Sequence, residues 1–352
     1  MILAVDAMGG DNAPDCVIGG IRYALKKNKD LTFLLFGNEP VVRPFLEKYK
    51  IDPKVYTFVH TEDAVPPDEK PGIAVRTRRK SSMWLAIDAV KKGQADAVVS
   101  AGNTGALMAF SKVILGTLPA IHRPALLALI PTRKGECVGL DLGANAVCDA
   151  RNLVEFAVMG EVYCRIVMKK SVPVVGFLNI GSEKTKGRDE IRQAAQILEE
   201  SPSDTRRFYG YVEADGVGKD AVDVVVCDGF SGNVLIKAIE GTARLVVRLF
   251  KDFRSGGILG FFSFVLAVPL LLFLKKKMDP RRYNGAMLIG LKGISIKSHG
   301  GTDAVGYANA IGVAVETVKY DLLGQITENL KNVKFPDVTE SGEKASAEQA
   351  KD

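Results

Sequence analysis

The sequence lacks the motifs that mark several common enzyme classes. It contains neither GxxxxGK[ST] nor GxGxxG, so the phosphate loop of nucleotide hydrolases and the usual dinucleotide fingerprint are both missing. HExxH and GxSxG are also absent, which argues against a zinc peptidase and a serine hydrolase. There is no helix-turn-helix or zinc-finger spacing and no stripe of aromatic and basic residues, so we expect no nucleic-acid partner.

Cysteine is sparse and never occurs as CxxC. The five cysteines are scattered along the chain: Cys16, Cys137, Cys148, Cys164 and Cys227. This pattern indicates a reducing cytoplasm in which they serve as small buried hydrophobes. A nucleophilic cysteine is the weaker alternative, because the sequence places no histidine beside one. We expect neither a metal nor a cofactor. We also expect no signal peptide, because the N-terminal segment lacks a basic stretch and already contains a charged residue at Asp6.

Composition is that of an ordinary globular protein. The 352 residues are 47% hydrophobic and 25% charged. A net charge of +6 and a pI near 8.9 suit an acidic partner or an anionic membrane surface and are too weak to indicate nucleic acid. We predict one α/β catalytic domain over residues 1–334, with a helical hairpin excursion at about 234–284. The polar tail, 335–352, is predicted to be disordered.

Short apolar runs alternate with amphipathic stretches from the first residue. Residues 2–5, 31–36 and 55–59 have the pattern of buried strands, and 17–27 and 41–50 that of helices. This βαβαβ order predicts a parallel sheet with right-handed crossovers, in an α/β/α sandwich.

Six predicted strands end in glycine-containing polar loops. These loops are 6–14, 100–105, 141–145, 179–187, 228–233 and 297–303. Ligands bind outside the carboxyl ends of the strands in open α/β sheets, so we predict that the six loops converge on one edge. The loop after residues 97–99 opens a helix, and its glycines and hydroxyls suit an anion. The alternative for this loop is a tight turn without a ligand.

Two further stretches favour contacts with partners. Arg76, Arg78, Arg79 and Lys80 form a basic cluster in a predicted loop, 66–80, which is either a solvated face or a dock for an acidic partner. Residues 234–253 have the pattern of a long amphipathic helix, and 256–274 are uncharged over a length that could span a bilayer.

We predict that the uncharged stretch does not span the membrane. Pro269 and several glycines interrupt it, and the chain must return to the same sheet. A hairpin fits better, with its apolar tip in the membrane interface: Phe261, Phe262, Phe264 and Leu271. Packing of this surface against a second subunit is the alternative.

Eight motifs in this order resemble the phosphate acyltransferase family called PlsX. They are VDAMGGDNAP, SAGNTGALM, HRPAL, DLGAN, GSEKTKG, DGFSGN, DPRRYNGAMLIG and IKSHGGTD, and the similarity runs from residue 2 to about 318. The resemblance implies a fold similar to the isopropylmalate and isocitrate dehydrogenases. It also implies an enzyme that makes acyl phosphate from long-chain acyl-acyl-carrier-protein and inorganic phosphate for phospholipid synthesis. Such an enzyme is a cytoplasmic homodimer, peripherally associated with the inner face of the membrane, and supplies a membrane glycerol-3-phosphate acyltransferase.

On this basis we assign expected roles to the loop residues. The phosphate or substrate would lie on Gly102, Asn103, Thr104 and Gly105, with Gly9, Gly10 and Asn145. Lys186, His299 and Asn233 are the catalytic candidates. Lys186 would pair with phosphate, His299 would donate to the thioester carbonyl or to the leaving thiolate, and Asn233 would be an amide donor. The basic cluster at 76–80 would dock the acidic carrier protein.

Two other functions fit the same sequence. A phosphotransacetylase-like enzyme would use acyl-CoA in place of the carrier protein. A membrane scaffold for lipid synthesis would have no catalytic activity. Six polar glycine loops favour an enzyme over a scaffold.

Overall fold

A sheet of eleven strands, flanked by helices, organises the chain. The computed structural model describes residues 1–254, 269, 279–331 and 333. The strands are β1 (Ile2–Asp6), β2 (Thr32–Gly37), β3 (Tyr56–His60), β4 (Ala97–Ser100), β5 (Ala125–Pro131), β6 (Glu136–Leu140), β7 (Val174–Leu178), β8 (Arg207–Val212), β9 (Val224–Val226), β10 (Ala286–Ile289) and β11 (Ile294–Lys297). Their spatial order is β3-β2-β1-β4-β11-β10-β5-β6-β9-β7-β8.

Eleven helices in the described residues connect these strands. They are α1 (Asp15–Lys27), α2 (Glu39–Lys48), α3 (Pro71–Thr77), α4 (Ser82–Lys91), α5 (Thr104–Leu115), α6 (Ala150–Ile166), α7 (Asp189–Glu199), α8 (Ala214–Val217), α9 (Gly229–Arg254), α10 (Ala304–Lys319) and α11 (Leu322–Leu330). Short 3-10 turns lie at Pro53–Val55 and Pro280–Tyr283.

Both faces of the sheet are buried, which explains why its strands are continuous apolar runs. In β1, Leu3 and Val5 pack into one hydrophobic cluster, whereas Ala4 packs into a second cluster on the other face. The mostly parallel α/β architecture predicted from the sequence is therefore confirmed.

Strand direction reverses in the middle of the sheet. Strands β1 to β4 and β11 run parallel to one another. Strand β10 runs against both β11 and β5, and β6 runs against β5. Strands β6, β9, β7 and β8 then continue parallel to one another. The sheet thus consists of two parallel blocks that point in opposite directions.

This reversal makes the prediction of a single convergent edge wrong. The loops that follow β1, β4 and β11 lie at one edge, and we call them the Asp6 loop cluster. The segments that follow β6, β7 and β9 lie at the opposite edge, and we call them the Asp141 loop cluster. Four strand spacings separate β4 from β6, about 19 Å across the sheet, in addition to the length of the strands.

Two segments predicted as loops contain helix. The 66–80 segment includes α3, which starts at Pro71, where proline's fixed φ suits a first turn, and buries Ala74. Helix α9 starts at Gly229, five residues earlier than predicted, so Asn233 lies within it. The carboxylate of Asp228 accepts from the N–H of Ser231 at 2.7 Å and caps this early start.

Helix α9 leaves the body of the protein after its first three turns. Leu235 is buried, whereas Leu245 and Leu249 are exposed. In the part of the chain that the structure describes, no helix is both long enough and apolar enough to cross a membrane. The four residues of the predicted hairpin tip, Phe261, Phe262, Phe264 and Leu271, and the tail, 335–352, lie outside the described residues.

Two glycines of α9 give a matched test of this packing. A Cβ on Gly232 would overlap the carbonyl oxygen of Asp141, whereas a Cβ on Gly241 would meet nothing within 4 Å. We expect Gly232→Ala to lower the free energy of unfolding by about 2 kcal/mol or more. Gly241→Ala should leave it unchanged or raise it by up to ~1 kcal/mol. Urea denaturation measures both, and equal stabilities of the two variants would contradict the packing of α9 on the Asp141 loop.

Candidate functional site

The carboxylate of Asp141 organises the loop after β6. Its Oδ1 accepts from the backbone N–H groups of Leu126, Gly143 and Ala144 at 3.0, 3.1 and 2.8 Å. Its Oδ2 accepts from the backbone and the side-chain amide of Asn145 at 2.7 and 2.8 Å. Burial raises the pKa of Asp141, and these hydrogen bonds oppose the rise. Since every partner is an N–H donor, the ionised carboxylate is the form that fits.

A second buried carboxylate joins the β7 loop to the start of α9. Asp228 is 1% exposed; one oxygen caps α9 and the other pairs with the guanidinium of Arg188. The side chain of Arg188 is 50% exposed. Sequence analysis missed Arg188, although it directly follows the GSEKTKG motif.

The loop that carries Lys186 is fixed by Asn179. The Asn179 amide donates to the carbonyls of Gly181 and Lys186 at 3.2 and 3.1 Å. Gly187 has a φ of +88°, and a Cβ there would overlap the Asn179 side chain, so only glycine fits. The Lys186 side chain is exposed and makes no ion pair with the described residues, unlike Lys184, which pairs with Glu199 at 2.9 Å.

Two predicted amide donors belong to the same cluster. Asn145 uses its Nδ2 on the carbonyl of Pro124 at 2.8 Å and on Asp141, so this amide orders the loop. Asn233 is exposed on α9 and is the nearest side chain to a Cβ placed on Gly143, at 3.8 Å. The structure therefore brings Lys186, Asn145 and Asn233 to one edge.

Large apolar side chains are exposed on the segments that form this cluster. Ile180 is 80% exposed and Phe230 is 68% exposed, and Val147 and Val234 are exposed as well. We call these four residues the apolar rim. Exposed apolar groups grouped beside cations suit a ligand that has both an anionic end and an apolar chain.

In the Asp6 loop cluster, the backbone of the loop after β1 packs closely against the backbone of the loops after β4 and β11. Asp6 is buried and accepts from the hydroxyls of Ser82 and Ser100 at 2.6 and 2.7 Å, and burial raises its pKa. A Cβ on Gly9 would lie 2.6 Å from the Gly102 nitrogen, and Gly10 has a φ of +109°. Packing of the turn alone therefore accounts for these glycines.

The predicted phosphate loop, 102–105, uses most of its polar groups internally. Asn103 caps α5 by accepting from the Ala106 N–H at 3.0 Å, and its amide donates to the carbonyls of Pro67 and Glu69, both at 2.9 Å. The N–H groups of Thr104 and Gly105 begin the helix and have no intrahelical acceptor. An anion at this loop would meet those two groups and the exposed Thr104 hydroxyl.

His299 lies in the Asp6 loop cluster, far from Lys186. Its side chain is exposed, and its Nδ1 accepts from the Gly301 N–H at 3.1 Å, which assigns the proton to Nε2. Beside it is Lys297, a residue that sequence analysis missed. Lys297 is 8% exposed, donates to the carbonyls of Ala101 and Ser298, and has its pKa lowered by burial to about 8.

The basic cluster at 76–80 divides into two parts. Arg78 pairs with Asp63 and Glu69, each at 2.9 Å, so its charge is neutralised within the fold. Arg76, Arg79 and Lys80 are exposed. These three side chains remain available to an acidic partner.

Comparison with known proteins decides the family. A family model described as "Fatty acid synthesis protein" matches residues 1–324. The chain is 50% identical to the phosphate acyltransferase of Rhodospirillum rubrum over 333 residues, 95% of each chain. It is 51% identical to that of Rhodospirillum centenum, over 93% of this chain and 92% of the relative. The chain belongs to this phosphate acyltransferase family.

Solved structures extend the likeness of this phosphate acyltransferase to a wider fold group. A phosphotransacetylase from Streptococcus pyogenes has a TM-score of 0.60 at 18% identity and covers 91% of this chain and 94% of its own. A branched-chain phosphotransacylase from Enterococcus faecalis has a TM-score of 0.57 at 14% identity, with coverages of 91% and 100%. At these identities the likeness shows a shared fold alone. Across the described residues, no group of three or more His, Cys, Asp or Glu side chains is placed to hold a metal.

Lys297→Met tests the buried ammonium in the Asp6 loop cluster. Because the pKa of Lys297 falls from 10.5 to about 8 on folding, the unfolded chain binds more protons between these pH values. The contribution of Lys297 to the free energy of unfolding therefore rises with pH over this range. We expect the wild type to gain roughly 1–3 kcal/mol relative to Lys297→Met between about pH 7.5 and about pH 10. Urea denaturation at both values measures this, and a difference that does not change with pH would contradict a buried charge.

Proposed function

We propose that this phosphate acyltransferase transfers a long-chain acyl group from the thioester of acyl carrier protein to inorganic phosphate. The product, an acyl phosphate, supplies phosphatidic acid and phospholipid synthesis. Family membership supports the reaction class. The observation that supports placing the reaction at the Asp141 loop cluster is its set of side chains. Exposed Lys186, half-exposed Arg188 and exposed Asn233 lie on the same segments as the apolar rim.

Charge favours this edge over the other for a phosphate dianion. The Asp6 loop cluster presents the exposed carboxylate of Asp11, which repels phosphate, and that of Asp303, which pairs with Arg281 at 3.2 Å. At the Asp141 loop cluster the two carboxylates are buried and engaged, and the exposed groups include Lys186 and Arg188. The Lys186 ammonium, which makes no ion pair with the described residues, attracts an anion there.

The residues present can perform acyl transfer without a strong base. Phosphate is already substantially dianionic near neutral pH, so its oxygen can attack the thioester carbonyl directly. The Lys186 ammonium attracts phosphate as a point charge. The Asn233 amide donates to the carbonyl oxygen as that oxygen gains negative charge. The C–S bond then breaks, and the carrier thiolate leaves and takes up a proton.

The phosphate loop at 102–105 and His299 have no place in this mechanism within one chain. They lie at the opposite edge, beyond the reach of a phosphate held by Lys186. Their roles stay predictions. The Asn145 amide, which is bound to Pro124 and Asp141, acts by ordering the loop.

The proposal includes a membrane-associated homodimer. Exposed apolar side chains on the outer half of α9, such as Leu245 and Leu249, support contact with an anionic membrane surface or a second subunit. The product is a reactive acyl phosphate destined for lipid, so a membrane glycerol-3-phosphate acyltransferase is the partner expected to consume it.

A donor comparison tests the function. Protein and phosphate are mixed with long-chain acyl-acyl-carrier-protein or with acyl-CoA, and acyl phosphate is trapped with hydroxylamine. We expect rapid formation of acyl hydroxamate with the carrier protein. Product with acyl-CoA alone would favour the phosphotransacetylase-like alternative, and no product with either donor would favour the scaffold.

Variants of the basic cluster test the carrier dock in the same assay. Arg76→Glu with Arg79→Glu should raise the KM for acyl-acyl-carrier-protein, because exposed charges steer an acidic partner and are screened within ~8 Å at physiological salt. The KM for phosphate should not change. Lys112→Glu, a single charge reversal on α5, serves as the control, and it is compared with each of Arg76→Glu and Arg79→Glu made alone. A carrier KM that neither these variants nor salt alters would contradict docking at 76–80.

A further inference from the structure

Arg188 has an unusual combination of a buried partner and an open guanidinium. Its carboxylate partner, Asp228, is 1% exposed, whereas its own side chain is 50% exposed. Compare Arg206 and Glu161, whose side chains are 7% and 1% exposed, so that both groups are consumed within the fold. A guanidinium carries five N–H donors, and the contact with Asp228 engages its Nη2. No other acceptor among the described residues is bonded to the Arg188 side chain.

From this asymmetry we infer that Arg188 binds the phosphate substrate through the open side of its guanidinium. The planar fork matches two oxygens of a phosphate, which a lysine ammonium cannot do. Asp228 offsets part of the arginine charge, so the neighbouring Lys186 supplies a second cation that no carboxylate among the described residues pairs with. This inference rests on the proposed function for the identity of the nucleophile.

The guanidinium is held in place before any substrate arrives. Asp228 ties it to the first turn of α9, the helix that carries Asn233. On its other side, Asn179 and the positive φ of Gly187 fix the loop between Lys186 and Arg188. Preorganised donors of this kind position a nucleophile without further loss of entropy.

Neighbouring cations do not offer the same geometry. The Arg192 guanidinium donates to the carbonyls of Thr185 and Gly187 and pairs with Asp189. Lys184 bridges to Glu199 on α7. Arg192 therefore braces the loop, and Lys184 ties it to the neighbouring helix.

Steady-state kinetics of Arg188→Lys and Arg188→Gln test the inference. Arg188→Lys keeps a charge opposite Asp228 and so protects folding, but it loses the fork. We expect a rise in the KM for phosphate of roughly tenfold for Arg188→Lys and roughly a hundredfold for Arg188→Gln. The KM for the acyl donor should stay within about twofold, as should both constants in Lys184→Ala, the matched control on the same loop. An unchanged phosphate KM in Arg188→Lys and Arg188→Gln would overturn the inference.

A binding measurement separates this inference from the proposed function. Without any acyl donor, inorganic phosphate should raise the Tm of the wild type and of Lys184→Ala above that in sodium chloride of equal ionic strength. The rise should be reduced in Arg188→Lys and lost in Arg188→Gln. This result would support phosphate binding by Arg188 even if no acyl phosphate were formed from any donor. Equal phosphate stabilisation of all four proteins would overturn it even if the enzyme were active.

Discussion

The antiparallel pairing of β5 with β6 is the constraint on which the functional geometry depends. Ala128 pairs with Gly139 and Ile130 with Cys137, so the chain turns back on itself in the middle of the sheet. Strands β6, β7, β8 and β9 therefore run in the direction opposite to β1, β2, β3, β4 and β11. Loops that appear equivalent in the sequence are thereby divided between two edges, and this division decides which side chains can act on the same substrate.

Buried carboxylates organise the loops at both edges. Asp141, Asp228 and Asp6 are each surrounded by N–H or hydroxyl donors, and none faces solvent as a free base. The glycines beside them permit backbone segments to approach each other closely. The polar residues of the motifs therefore serve largely to shape the loops. In the proposed mechanism, the chemistry is left to the few side chains that remain exposed, chiefly Lys186, Arg188 and Asn233.

The sequence was sufficient for the α/β class, most strand positions and the family, because buried strands are short apolar runs and the motifs are specific. The sheet order was not predictable from it. Strand β10 is a short apolar run whose antiparallel pairing with β5 and β11 is set by partners more than 150 residues away or across a turn. The start of α9 was missed because glycines and serine at 229–232 resemble a loop until the Asp228 cap is seen.

The sequence also could not predict which charged and polar side chains are already paired or hydrogen-bonded within the fold. Arg78 was predicted as one of four residues of a docking surface, but it is held by two carboxylates. Asn103, which we predicted to bind phosphate, also holds the 66–69 loop through its amide, and the sequence does not show this contact. Arg188 lies just outside the GSEKTKG motif, and Lys297 lies inside IKSHGGTD, where nothing in the sequence marks its side chain as buried. Their environments arise from contacts with Asp228 and with the ends of β4 and β11, which only the folded chain brings together.

The turnover of Lys186→Ala and Asn233→Ala, measured with acyl-acyl-carrier-protein at saturating phosphate, tests most directly whether acyl transfer occurs at the Asp141 loop cluster. Both side chains are exposed, so the variants should fold normally, and Lys184→Ala is the matched control. The account predicts that kcat falls roughly tenfold to a thousandfold in the first two variants and stays near the wild-type value in the control. Near-normal turnover in both Lys186→Ala and Asn233→Ala would contradict it.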